Sequence, residues 1–91
     1  MPMRGAMKVQ VRLYAFLAER VHEAFPEKGL RPGTPVELDL PEGSTLSTLV
    51  GQLALPEEEV KLTVVNGRLR ELDYRLQAGD EVGIFPPIAG G

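Results

Sequence analysis

Apolar and polar residues trade places along this chain with two different periods. From Lys8 to Tyr14 they alternate: Val9, Val11 and Leu13 fall on one face, and Gln10, Arg12 and Tyr14 on the other. That period predicts a half-buried strand. From Ala15 to Ala24 the spacing changes. Leu17, Val21 and Ala24 stand at i, i+4 and i+7 with Ala18 beside them, predicting a short amphipathic helix that ends before Pro26 and turns Phe25 back onto the core. Gly29, Pro32, Gly33 and Pro35 make the stretch from Pro26 to Pro35 a loop. Val36, Leu38 and Leu40 alternate with Glu37 and Asp39 as a second strand.

Pro41-Glu42-Gly43-Ser44-Thr45 reads as a turn into a second helix, with Ser44 or Thr45 as its N-cap. Leu46, Leu49, Val50 and Leu53 give that helix one apolar stripe, and Pro56 stops it. Glu57-Glu58-Glu59 fits one further turn with its charges toward water. Val60, Leu62 and Val64, separated by Lys61 and Thr63, predict a third strand. Asn66-Gly67 is a strong hairpin signal, followed by a short strand within Arg68 to Leu72. After turn residues at Leu76 to Asp80, Glu81 to Phe85 forms the last strand, with Val82 and Ile84 inward.

This order predicts an α+β roll, with a mixed sheet of four to five strands and one main helix packed across one face. Residues 1–6 read as a flexible lead-in, 7–85 as the domain, and 86–91 as an extended tail; Met3 and Met7 are both candidate starts. Parity also places Tyr14 and Phe85 on the otherwise polar face. If the first and last strands are neighbours, the two rings form an apolar patch beside the tail exit, and Leu69 is a candidate third member. Such a patch is the signature of a partner site; a ring folded over a sheet edge, or covered by the 26–35 loop, is the alternative.

Composition narrows the chemistry. The 91 residues suffice for one modest core. A formal net charge of -3, with no basic stripe, argues against a nucleic-acid surface. The chain has no cysteine, hence no disulfide, thiolate metal site or cysteine nucleophile. Its one histidine, His22, has no second imidazole to work with and is expected on a solvated helical face. No nucleophile–base pair can be assembled, so catalysis by this chain alone is not expected. Neither a signal peptide nor a membrane-length apolar run is visible, and a cytoplasmic location is the expectation.

The remaining signal is the end of the chain, Phe85-Pro86-Pro87-Ile88-Ala89-Gly90-Gly91. Pro86 and Pro87 fix φ, lack N–H donors and terminate strand pairing. At ~3.1 Å per residue, the six residues after Phe85 reach roughly 19 Å from the sheet. A terminal glycine pair has nothing to pack and is entropically costly to order, but it lets the walls of a narrow cleft approach the backbone. The Gly91 carboxylate is therefore the candidate reactive group. Adenylation by ATP would turn its oxygen into a good leaving group, open to attack by a sulfur donor or an amine.

This ending, together with Ala78-Gly79-Asp80-Glu81-Val82, Val64-Val65-Asn66-Gly67-Arg68 and the Pro-Glu-Gly-Ser-Thr helix entry, resembles the small sulfur-carrier subunit of molybdopterin synthase and its thiamine sulfur-carrier-like relatives. The resemblance implies a β-grasp (ubiquitin-like) fold and a non-catalytic carrier, with no permanently bound cofactor. It implies adenylation of Gly91 by an ATP-using enzyme related to ubiquitin-activating enzymes, and sulfur from a sulfurtransferase or cysteine desulfurase. A large synthase subunit would then accept the thiocarboxylate. Gly91 falls on the modified position, Gly90, Ala89, Pro87 and Pro86 on the tail, and Tyr14, Leu69 and Phe85 on the docking surface. The connection from Tyr14 to Val36 is longer than in compact members. Sulfur delivery to a thiazole or to transfer RNA, an isopeptide-forming modifier, and a passive interaction module remain the alternatives.

Overall fold

The computed structural model describes residues 6–28 and 30–87. Strands β1 (Ala6–Leu13), β2 (Val36–Pro41), β3 (Leu62–Val65), β4 (Arg68–Leu69) and β5 (Glu81–Phe85) are joined with helices α1 (Phe16–Ala24) and α2 (Leu46–Gln52). Single 3-10 turns lie at Pro26–Lys28 and Glu57–Glu59. The sheet order is β2-β1-β5-β3-β4. β1 runs parallel to β5, whereas β1–β2, β3–β5 and β3–β4 are antiparallel. This is a mixed α+β sheet of the β-grasp type. β5 is its central strand, so the chain leaves the sheet between β1 and β3.

The inward faces follow from period. Val9, Val11 and Leu13 of β1, Leu38 and Leu40 of β2, and Val82 and Ile84 of β5 are buried in one cluster with the α2 stripe of Leu46, Leu49, Val50 and Leu53. Thr45 is the N-cap: its hydroxyl accepts from Thr48 N–H, and the Thr48 hydroxyl accepts from Thr45 N–H, both at 3.2 Å. This reciprocal pair satisfies two otherwise orphaned donors. Ser44 is buried instead and donates to the Pro41 carbonyl at 2.6 Å. α1 shares the work of covering the sheet through Leu17, Ala18 and Val21. Ala24, expected in that stripe, is exposed, while Phe25 packs on the core as expected.

β3 departs from the pattern read in the sequence. Its buried residues are Thr63 and Val65, and Leu62 is 44% exposed. Pairing with β5 decides this. Thr63 lies opposite Ile84 and Val65 opposite Val82, and both partners point inward. Opposed residues share a face, so Leu62 and Val64 are turned outward. Thr63 tolerates the core because its hydroxyl donates to the Arg70 carbonyl at 2.5 Å. Glu59 also departs from the solvated reading: it is half-buried and pairs with Arg20 of α1 at 3.0 Å.

The two turn motifs interlock. Asn66 and Gly67 both have positive φ, 53° and 85°, as a two-residue hairpin turn requires. The Asn66 amide then donates to Asp80 Oδ1 at 3.0 Å and accepts from Glu81 N–H at 2.9 Å. Asp80, itself buried, accepts from Gln77 N–H at 2.8 Å through its other oxygen. Gly79 N–H reaches the Lys8 carbonyl at 2.7 Å. These bonds pin the hairpin and the start of β5 to β1, which fixes where β5 ends and the tail begins.

Candidate partner-docking face and tail root

Tyr14 and Phe85 meet on the open face of the sheet. Their rings are stacked, with centroids 4.2 Å apart and planes 3° from parallel. β1 and β5 are parallel neighbours in the register that places Leu13 beside Ile84, and Tyr14 N–H extends the pairing to the Ile84 carbonyl at 3.2 Å. The next residues, Tyr14 and Phe85, therefore stand side by side. Both are half-buried, by each other and by the backbone below them.

Leu69 lies on the same face, opposite Val64 in the β3–β4 pair, and is 65% exposed. It sits two strands away from Phe85. Leu62, directly opposite Phe85, and Val64, opposite Gly83, fill the interval. The structure thus brings Tyr14 and Phe85 into contact and connects Leu69 to them through Leu62 and Val64.

A groove of roughly 950 Å³ runs beside the tail root, lined by Tyr14, Phe16, Lys61, Leu62, Phe85, Pro86 and Pro87 among others. Its lining is chiefly apolar, and Phe16 at the start of α1 is 41% exposed. Lys61 N–H holds the Phe85 carbonyl at 2.8 Å, the last sheet bond before the prolines. Pro86 is half-buried and Pro87 exposed. Ala89, Gly90 and Gly91, expected to form the working end, lie outside the described residues.

Away from this corner the open face is charged. Lys8 binds Asp39 at 2.9 Å, and that hydrogen bond, then the charges of Asp39 and Glu37, raise the lysine above its ordinary pKa. The pair is exposed and contributes little to stability. Among the described residues, no group of three or more His, Asp and Glu side chains is placed to hold a metal ion. None of the helices described is long and apolar enough to cross a membrane.

The comparison that decides the family is with the ThiS family, whose sequence profile matches residues 11–91. The chain belongs to the ThiS family. It is thereby placed among the small β-grasp sulfur carriers and ubiquitin-like modifiers. No curated protein sequence matches it.

Solved structures agree in fold. One, assigned as molybdopterin converting factor subunit 1 from Pyrococcus furiosus, is 27% identical with a TM-score of 0.65, covering 90% of this chain and 99% of that one. Small archaeal modifier protein 1 from Haloferax volcanii is 26% identical with a TM-score of 0.62, covering 92% and 99%. Its counterpart from Methanosarcina acetivorans, at 24% identity, has a TM-score of 0.61 over 94% and 98%.

The sequence reading missed Leu62, Val64, Phe16 and Lys61. A signal for Val64 was present: a two-residue turn at Asn66-Gly67 makes Val64 and Leu69 partners, so an outward Leu69 implies an outward Val64. Phe16 and Lys61 had no comparable mark, because only the closure of the sheet brings them beside the prolines.

Proposed function

We propose that this protein is a sulfur carrier in molybdopterin biosynthesis, working as the small non-catalytic partner of a synthase. The observation that supports it best is the likeness, over 90% of the chain, to the protein assigned as molybdopterin converting factor subunit 1. An adenylating enzyme transfers AMP from ATP to the Gly91 carboxylate and releases pyrophosphate. A sulfurtransferase or cysteine desulfurase carries sulfur as a persulfide. Its outer sulfur attacks the carbonyl and expels AMP, and a second thiol cleaves the resulting acyl disulfide, itself ending in a disulfide with the donor and leaving a thiocarboxylate on Gly91.

The chain contributes no catalytic group of its own. Its part is to present the terminus: Pro86 and Pro87 direct the tail outward, and Ala89 and Gly90 pass through a narrow cleft. Tyr14, Phe85 and Leu69, joined by Leu62 and Val64, dock the large synthase subunit or the activating enzyme. ATP is consumed by the activating enzyme and needs no site here.

Intact-mass measurement tests this. Incubated with the adenylating enzyme, ATP and a sulfur donor, the protein gains the mass of one oxygen-to-sulfur exchange. Removing Gly91 abolishes the gain and leaves thermal unfolding unchanged. No gain on the full chain would refute the carrier reading.

The likeness to the Haloferax volcanii modifier, at 26% identity, favours a second reading in which Gly91 is conjugated to lysine amines. Both routes share the acyl adenylate. Branched peptides ending in Gly90-Gly91 on target lysines would identify the modifier, and thiocarboxylate without such peptides the carrier alone.

A further inference from the structure

Gly83 stands in the middle of β5, in a strand, with no positive φ to require a glycine. An interior strand glycine weakens a sheet and often marks a place where something approaches the backbone closely. Here the approaching groups are the two rings. A Cβ at position 83 would meet Phe85 Cε1 at 3.4 Å and Tyr14 Cε2 at 3.5 Å. The rings therefore lean back along their strands and occupy the space above Gly83. A second glycine bounds the pair from the long connection between β1 and β2. Gly33, with φ of +73°, donates its N–H to the Leu13 carbonyl at 2.8 Å, and a Cβ there would stand 3.7 Å from Tyr14 Cε1.

We propose that Gly83 and the Gly33 turn form a cradle that sets the lean of the Tyr14–Phe85 stack, and so the shape of the apolar surface a partner reads. This deepens the carrier reading and rests on it. Gly83 is a positioning residue acting through the rings, and the long connection passes beside Tyr14 at Gly33, where the bond to Leu13 ties it to the end of β1. The occupant of this surface is the adenylating enzyme, which must grip the domain beside the tail root while its active site takes the terminus. An apolar contact patch on that enzyme suits the leaning rings, Leu62 and Val64. A methyl group at position 83 fits at ordinary contact distance, whereas a branched side chain claims the volume the rings now fill.

The test uses the full chain with Gly83→Ala and Gly83→Val, and Gly83→Ser as the smaller variant should valine prevent folding. Steady-state thiocarboxylate formation by the adenylating enzyme, ATP and a sulfur donor is measured against carrier concentration. Ring-proton chemical shifts of Tyr14 and Phe85 are recorded on the free proteins. Valine should raise the KM for the carrier about tenfold, the scale of one lost interface anchor, while kcat holds. It should also move the ring shifts, because the branched side chain displaces the stack. Alanine should match the native protein throughout. A native KM for the valine variant, or a raised KM with unmoved ring shifts, would overturn the proposal. Absence of thiocarboxylate on the native chain would overturn the carrier reading instead, and the ring shifts alone would then decide the cradle.

Discussion

Phe85 covers sheet backbone beside Tyr14 and leaves part of its ring exposed, where the proposed partner would meet it. Its stack is worth about 0.5–1.5 kcal/mol beyond buried area, and the residue is half-buried. Phe85→Asp should therefore cost at most about 2 kcal/mol of stability, with partner binding weakened far more. Thermal melts and binding to the adenylating enzyme separate the two effects, and a larger loss of stability would show the ring to be core. Asp80 is the contrasting case. It is buried and accepts hydrogen bonds from Asn66 and Gln77, so Asp80→Ala should cost about 1.5–3 kcal/mol in a denaturant titration and leave the apolar face intact. The outward parity of Tyr14 and Phe85 was legible in the sequence, and their meeting followed from it only once β1 and β5 proved to be neighbours. Gly83 was not legible there, because a strand glycine acquires meaning only once neighbouring rings are seen to lean over it.

Among the elements, α2 shows how little sequence a stable packing unit needs. It has seven helical residues, too few to persist in isolation, and it survives through a reciprocal Thr45–Thr48 cap and a fully buried stripe. Leu49 has no exposed surface. Leu49→Ala should cost about 2–5 kcal/mol, read from chemical denaturation, with the spread set by how far the sheet and helix can collapse. The stripe was plain from spacing alone. The β3 face was not, because Val60, Leu62 and Val64 alternate as convincingly as a buried strand does. Parity within one strand says which residues share a face; the face that meets the core is chosen by the register of the neighbour. Val82 and Ile84 of β5 made that choice, and it turned Leu62 and Val64 onto the face that carries Tyr14 and Phe85. Glu59 shows the same limit, since its ion pair with Arg20 joins a turn to a helix far away in sequence.

For the molecule as a whole, the chain leaves the sheet from its central strand, and the proposed reactive group lies beyond that exit. β5 is held by neighbours on both sides, by the Asn66–Asp80 latch and by the Lys61–Phe85 backbone bond. A pull on the tail is thus resisted by the whole sheet. Removing Gly91 should accordingly abolish sulfur loading while leaving unfolding untouched, because those contacts all lie upstream of Pro86. The sequence by itself determined the strand and helix periods, the turn chemistry of Asn66-Gly67 and Gly79-Asp80, the proline stop, and the Gly90-Gly91 pair. All of these are local properties, fixed by residues near one another in the chain. Tertiary structure alone decided that β1 and β5 lie side by side in parallel, that β3 turns Leu62 and Val64 outward, and that the rings of Tyr14 and Phe85 both come to lie over Gly83. Those outcomes depend on register and close approach between distant segments, which no local period encodes.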